Sequence, residues 1–143
     1  MSSDRSLIFK TSVGLIFHTA VLFAFYLLFA GHNSPGGGFI GGLVAGAAFV
    51  LRYLDSGTEG IRATLWRPGV LLGFGLALAV VAGATGWMGG GQFLEHTAYS
   101  AELPALGTVK VTTALLFDIG VFLVVVGLVR LVLSVLGEEA EER

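Results

Sequence analysis

Long uncharged apolar runs separated by short polar stretches organise this chain. Residues 11–30, "TSVGLIFHTAVLFAFYLLFA", contain one ionisable group, His18. Residues 39–51 are apolar but short, and reach spanning length when Gly36 to Gly38 and the stretch to Leu54 are added. Residues 70–88 carry no charge, and residues 111–129 carry only Asp118. Crossing about 30 Å of hydrocarbon as a helix takes roughly 20 mostly apolar residues. The pattern therefore predicts an all-α integral membrane protein with one domain of four transmembrane helices, at roughly 9–30, 36–54, 69–89 and 110–136. "RLVLSVL", residues 130–136, is expected to carry the last helix out of the membrane.

A second periodicity lies inside the second apolar run. "GHNSPGGGFIGG", residues 31–42, holds six glycines. Gly38, Gly42 and Gly46 recur every four residues, and Gly37, Gly41 and Ala45 repeat the spacing one position earlier. Residues four apart share a helix face, so this helix presents a strip almost bare of side chains. Lipid supplies no hydrophobic drive between helices, and close backbone approach at small residues supplies the packing instead. Gly69 and Gly73, Ala79 and Gly83, and Ala82 and Gly86 repeat the device in the third span. Both strips are expected to grip other helices, including those of other chains. Ser34 is placed to cap the second helix and Pro35 to be its first residue, where its missing N–H is harmless. Its glycine-rich start either aims a helix dipole at ions or water, or simply makes a tight turn packed around Phe39. A phosphate loop is excluded, because no Lys follows the glycines and no strand precedes them.

Composition agrees with the bilayer reading: 55% of residues are hydrophobic, 13% charged, and the mean hydropathy is +0.85. Cysteine is absent, which excludes disulfides, thiolate metal sites and a cysteine nucleophile. The basic residues form no stripe, so no nucleic-acid partner is expected. Their placement fixes orientation. Arg5, Lys10, Arg52, Arg62, Arg67, Arg130 and Arg143 fall on one side of a four-span topology and only Lys110 on the other. Both termini are thus expected in the cytoplasm, with residues 31–36 forming a tight outer turn that makes spans 1 and 2 an antiparallel hairpin. The first span is too long for a signal-peptide core and lacks an A-x-A-like site. Residues 89–110, mixed in character, either lie across the outer face or dock on a neighbour.

Ionisable groups inside a span are functional candidates, since an Asp near the centre costs at least ~2.5 kcal/mol. Asp118 lies roughly 10 Å from the outer end of span 4. Lys110 and Arg130 are about 80° and 120° around that helix from it. A counter-charge must then come from another helix or chain. Asp118 is either a proton or cation relay, or a buried acid that is neutralised or paired at an interface. His18 is either hydrogen-bonded glue or a relay group. His32 and His96 are in outer loops without the further ligands zinc needs, and no Ser is placed for Ser-His-Asp catalysis, so neither a cofactor nor an enzymatic activity is expected.

Two blocks, "GHNSPGGGFIGGLV" (31–44) and "LPALGTVKVTTALLFDIGVFLVVVG" (103–127), resemble the signature blocks of the B-type component of Mrp-type (also called Mnh) multisubunit Na+/H+ antiporters. The resemblance covers nearly the whole chain. A similar module ends the large A-type component of that family, and a chain of 143 residues is a better fit to the free-standing B-type one. The resemblance implies a plasma-membrane hetero-oligomer related to the membrane arm of respiratory complex I. Its partners would be the large A- and D-type and the small C-, E-, F- and G-type subunits, and its transported ions Na+ and H+. The motif residues fall here on His32, Asn33, Pro35, Gly36 to Gly38 and Phe39, and on Phe117, Asp118 and Gly120. Asp118, His18, His32, Pro35 and Phe39 become ion-pathway candidates, and Gly38, Gly42, Gly46, Gly69 and Gly73 helix-packing positions. The alternatives are a purely structural assembly component and, less in keeping with so few intramembrane charges, an independent small channel.

Overall fold

A computed structural model of the chain describes residues 2–31, 36–62, 67–88, 98–103 and 107–141. The main elements are four helices, α1 (Ser2–Ala30), α2 (Gly37–Arg62), α3 (Pro68–Met88) and α4 (Thr113–Glu141). Three of them contain stretches long and apolar enough to cross a membrane: Leu7–Ala30, Gly37–Gly57 and Thr113–Glu138. The fourth, α3, contributes the apolar stretch Pro68–Ala84.

The helices pack as a row in the order α1, α2, α4, α3. Chain neighbours α2 and α3 therefore share no substantial packing among the described residues; α4 lies between them. The core runs along the α1–α2–α4 part of the row, through Ala24 and Leu28, Ala45 and Phe49, and Phe122, Val126 and Leu133. Large apolar side chains cover the outer surfaces, such as Leu22 and Phe23 on α1, Phe74 and Val81 on α3, and Val132 on α4. That inversion of a soluble surface is what a hydrocarbon solvent requires, since lipid contact carries no penalty for apolar groups.

Glycine sets where α2 starts and stops. Gly36 adopts φ +107°, a region open to glycine, and its carbonyl accepts the Ile40 N–H at 2.8 Å. Gly36 is thus the residue at which the helix begins. The expected cap Ser34 and first helical residue Pro35 lie outside the described residues, upstream of the turn that starts the helix. Gly57, at φ 61° and ψ −151°, breaks α2 where its apolar stretch ends.

A two-stranded antiparallel hairpin separates α3 from α4: β1 (Ala98–Leu103) pairs with β2 (Gly107–Thr112), from Ala98 opposite Thr112 to Leu103 opposite Gly107. The alternating "TVKVT" of residues 108–112 suits a strand, and the hairpin delays the last helix to Thr113. Lys110 pairs with Ser100 in this sheet, so the helical angle drawn from Lys110 to Asp118 does not apply.

Candidate functional site: the glycine turn against the start of α4

The two glycine rows of α2 serve two different neighbours. Gly37, Gly41 and Ala45 face α1. A Cβ on Gly37 would lie 2.7 Å from the Gly31 Cα, and one on Gly41 would lie 2.7 Å from the Ala24 carbonyl oxygen. Ala45 is buried among the core residues. Gly38, Gly42 and Gly46 face α4. A Cβ on Gly38 would overlap the backbone of Asp118, one on Gly42 would stand 2.8 Å from Val125 Cβ, and one on Gly46 2.9 Å from a Val129 methyl. Rows one residue apart are rotated by about 100°, which is why one helix can hold two neighbours at backbone distance.

The strip expected to grip helices of other chains is therefore filled by this chain's own α4. Gly69 and Gly73, assigned by the same spacing, have nothing within 4 Å of a built Cβ among the described residues. A packing glycine of α3 is Gly75, which meets the Gly120 carbonyl and the Leu123 side chain, each at 2.8 Å from its built Cβ. Gly120 and Gly127 repay this on α4, against Ala79 and Leu72 of α3.

These contacts bring Gly38, in the glycine-rich start of α2, against the backbone of Asp118. Asp118, half-buried and five residues after Thr113, lies about 8 Å along the helix from its start. Its backbone rests on Gly38, within the first turn of α2. That turn has N–H groups without intrahelical acceptors and carries the positive end of the helix dipole. The arrangement sets the backbone of Asp118 against the first turn of α2, and no side chain at Gly38 holds the two helices apart. Phe39, the next residue, is 51% exposed and open to whatever packs on this face. His32 and Pro35 lie outside the described residues.

His18 is apart from this site, exposed on α1. Its Nδ1 donates to the Gly14 carbonyl at 2.7 Å, and its ring meets Phe17 edge-on at 5.5 Å. Thr11 and Thr19 bond back to the Leu7 and Leu15 carbonyls in the same way, each at 2.9 Å. Such bonds quiet a polar group within its own helix and need no partner from another. No group of three metal-ligating side chains occurs among the described residues.

The sequence pattern places Arg130 as a charge marking the end of span 4. It is instead buried, the one charged side chain so placed among the described residues, 2% exposed, with its guanidinium 5.4 Å from the Phe49 ring centre. Phe49 meets Phe17 edge-on at 5.4 Å, and Arg52 lies 4.8 Å over Phe17. Two rings packed edge-on, from α2 and α1, thus lie between two cations, from α4 and α2. The signal is present in "VVVGLVRLVLSV", where apolar residues continue on both sides of the arginine. A charge so placed is inside a span rather than at its edge.

Comparison with known proteins agrees in extent. A family model described as a domain related to the MnhB subunit of Na+/H+ antiporter matches residues 8–131. The B-type subunit of the Na+/H+ antiporter of Bacillus subtilis is 41% identical over 136 residues, covering 94% of this chain and 95% of that protein. Its counterpart in Alkalihalophilus pseudofirmus is 34% identical over 137 residues, covering 95% of each. A chain in the structure of the Mrp complex from a Dietzia species superimposes with a TM-score of 0.76 at 32% identity. That match covers 94% of this chain but 14% of the much longer Dietzia chain.

Proposed function

The chain belongs to the family of domains related to the MnhB subunit of Na+/H+ antiporters, and from that membership we propose that it is the B-type component of an Mrp-type cation/proton antiporter. It is a multi-pass plasma-membrane protein whose role is transport rather than catalysis. Its partners are the other antiporter subunits, large A and D type and small C, E, F and G type, within the lipid bilayer, and Na+ and H+ are the ions exchanged. All four helices cross the bilayer as one domain: α3 has 21 residues, about 31 Å at 1.5 Å per residue. Both termini are cytoplasmic, and the glycine turn and Asp118 lie toward the outer face.

The observation that carries a role in the ion path is the seat of the Asp118 backbone on Gly38. It brings the backbone of the acid-bearing residue against the first turn of α2, next to the exposed Phe39. Asp118 takes up and releases a proton or cation there, and Gly38 keeps the two helices close enough for the dipole to act. His18 sits on a lipid- or partner-facing surface and is a lesser candidate. Gly69 and Gly73, uncovered in this chain, are where a neighbouring chain packs closest. The test is co-expression of the remaining components with and without this chain in a host stripped of its own antiporters. Na+-dependent dissipation of a pH gradient in everted vesicles should require the chain. Equal exchange without it refutes the proposal.

A further inference from the structure

We propose that the cleft between α1 and α2 at their basic ends binds the headgroup of an anionic phospholipid bearing hydroxyl donors. The inference rests on the membrane reading above only in placing this end of the helices at a bilayer surface. A cavity of about 180 Å³ lies there, lined by Lys10, Val13, Phe17, Arg52, Asp55 and Ser56. Its depth is right for a headgroup. Lys10 is the fourth residue of the apolar stretch Leu7–Ala30, and Arg52 lies five residues before the break at Gly57. The 24 residues of that stretch span about 36 Å against about 30 Å of hydrocarbon, so Lys10 falls near the hydrocarbon edge.

Chemistry narrows the ligand. Lys10 and Arg52 come from different helices and line one cavity, as a phosphate bridging them requires. Stacking over Phe17 at 4.8 Å holds the Arg52 guanidinium in place, so little freedom is lost when a phosphate binds. Val13 and Phe17 give the floor an apolar character that suits the glycerol ester region. Asp55 is the remaining charged group, leaving the lining at a formal +1. Its carboxylate accepts the Ser56 hydroxyl at 2.8 Å and keeps further acceptor capacity. An acceptor beside two cations fits a phosphate followed by hydroxyls, as in phosphatidylglycerol. The net positive lining favours such an anionic headgroup over the zwitterionic phosphatidylcholine and phosphatidylethanolamine.

The test is native mass spectrometry of the purified full chain, delipidated and then exposed to phosphatidylglycerol, phosphatidylethanolamine, phosphatidylcholine or inorganic phosphate. Lipid retention is read on the chain itself, so it succeeds or fails independently of antiport. Phosphatidylglycerol should be retained in preference to the other two lipids, and inorganic phosphate should not displace it at equal concentration. Lys10→Gln should weaken retention about fivefold, the effect of one basic residue at a membrane surface. Lys10 is exposed, so this variant leaves the packing intact. Arg52→Gln should weaken retention at least as much, and Arg52→Lys, which keeps the charge, should retain most of it. Equal retention of phosphatidylcholine or phosphatidylethanolamine, displacement by inorganic phosphate, or indifference to Lys10→Gln overturns the proposal.

Discussion

Replacing Gly42 by Ala adds one carbon at the α2–α4 contact, and its cost can be worked from the geometry. The new Cβ would stand 2.8 Å from Val125 Cβ and 3.1 Å from its Cγ1. Val125 can rotate its methyls, but its Cβ is fixed to the backbone of α4. Ordinary carbon contact starts at about 3.5 Å, so the helices must part by about 0.7 Å. A gap of that size forfeits roughly a quarter to a half of each contact's dispersion energy along the seam. Overpacking of this kind costs about 1–3 kcal/mol. Alanine also returns up to ~1 kcal/mol of helix propensity, which would blur a single measurement. Gly73→Ala removes that ambiguity: it gains the same propensity and meets nothing within 4 Å among the described residues. The difference between the two variants isolates packing and should be about 5- to 150-fold in the unfolding equilibrium. The assay is titration of the purified chain from mild detergent into dodecyl sulfate, followed by circular dichroism. Equal midpoints for Gly42→Ala and Gly73→Ala would refute the internal α2–α4 seam.

Other perturbations probe the remaining contacts. Arg130→Ala should lower the stability of the chain by more than the ~0.5–2 kcal/mol of a cation–π contact, because it also empties a buried volume, with Arg130→Lys intermediate in the same titration. His18→Gln should leave antiport near wild type in vesicles; a loss beyond tenfold would move the ion path to the exposed face of α1. For topology, Ser34→Cys should react with an impermeant thiol reagent added to intact cells and Thr58→Cys should not, and the reverse labelling would overturn the cytoplasmic placement of both termini.

The presence of four helices was legible because apolar runs are set by bilayer thickness, a constraint that acts on composition alone. The two rows of small residues in α2 were legible too, since four-residue spacing defines a face. What spacing cannot give is the occupant of that face. Gly38 and Gly42 meet α4 of the same chain, and a Cβ built on Gly69 or Gly73 meets no atom of the described residues within 4 Å. Gly75 does the packing in α3; two residues from Gly73, it points about 200° around the helix. Nothing in the third span's pattern distinguishes these two faces before α4 is in place. Arg130 escaped for a related reason. The apolar residues on both sides of Arg130 mark it as inside the span, but the ring it meets, Phe49, is contributed by another helix and cannot be read from spacing. The hairpin ahead of α4 reflects local strand propensity in residues 107–112, which the apolar run beginning at Val111 masked.

The seat of Asp118 on the first turn of α2 is most directly tested by Asp118→Asn, which preserves size and hydrogen bonding and removes the titrating charge. Assembly is read by co-purification of the other antiporter components, and antiport by Na+-dependent fluorescence recovery in everted vesicles across a pH series. A complex that assembles normally, with exchange lowered by about tenfold or more (~1.4 kcal/mol) and a shifted pH profile or apparent Na+ affinity, is the predicted result. Asp118→Glu should be milder than Asn. Wild-type activity, Na+ affinity and pH profile in the Asn variant would contradict a role in the ion path and leave the chain a scaffold.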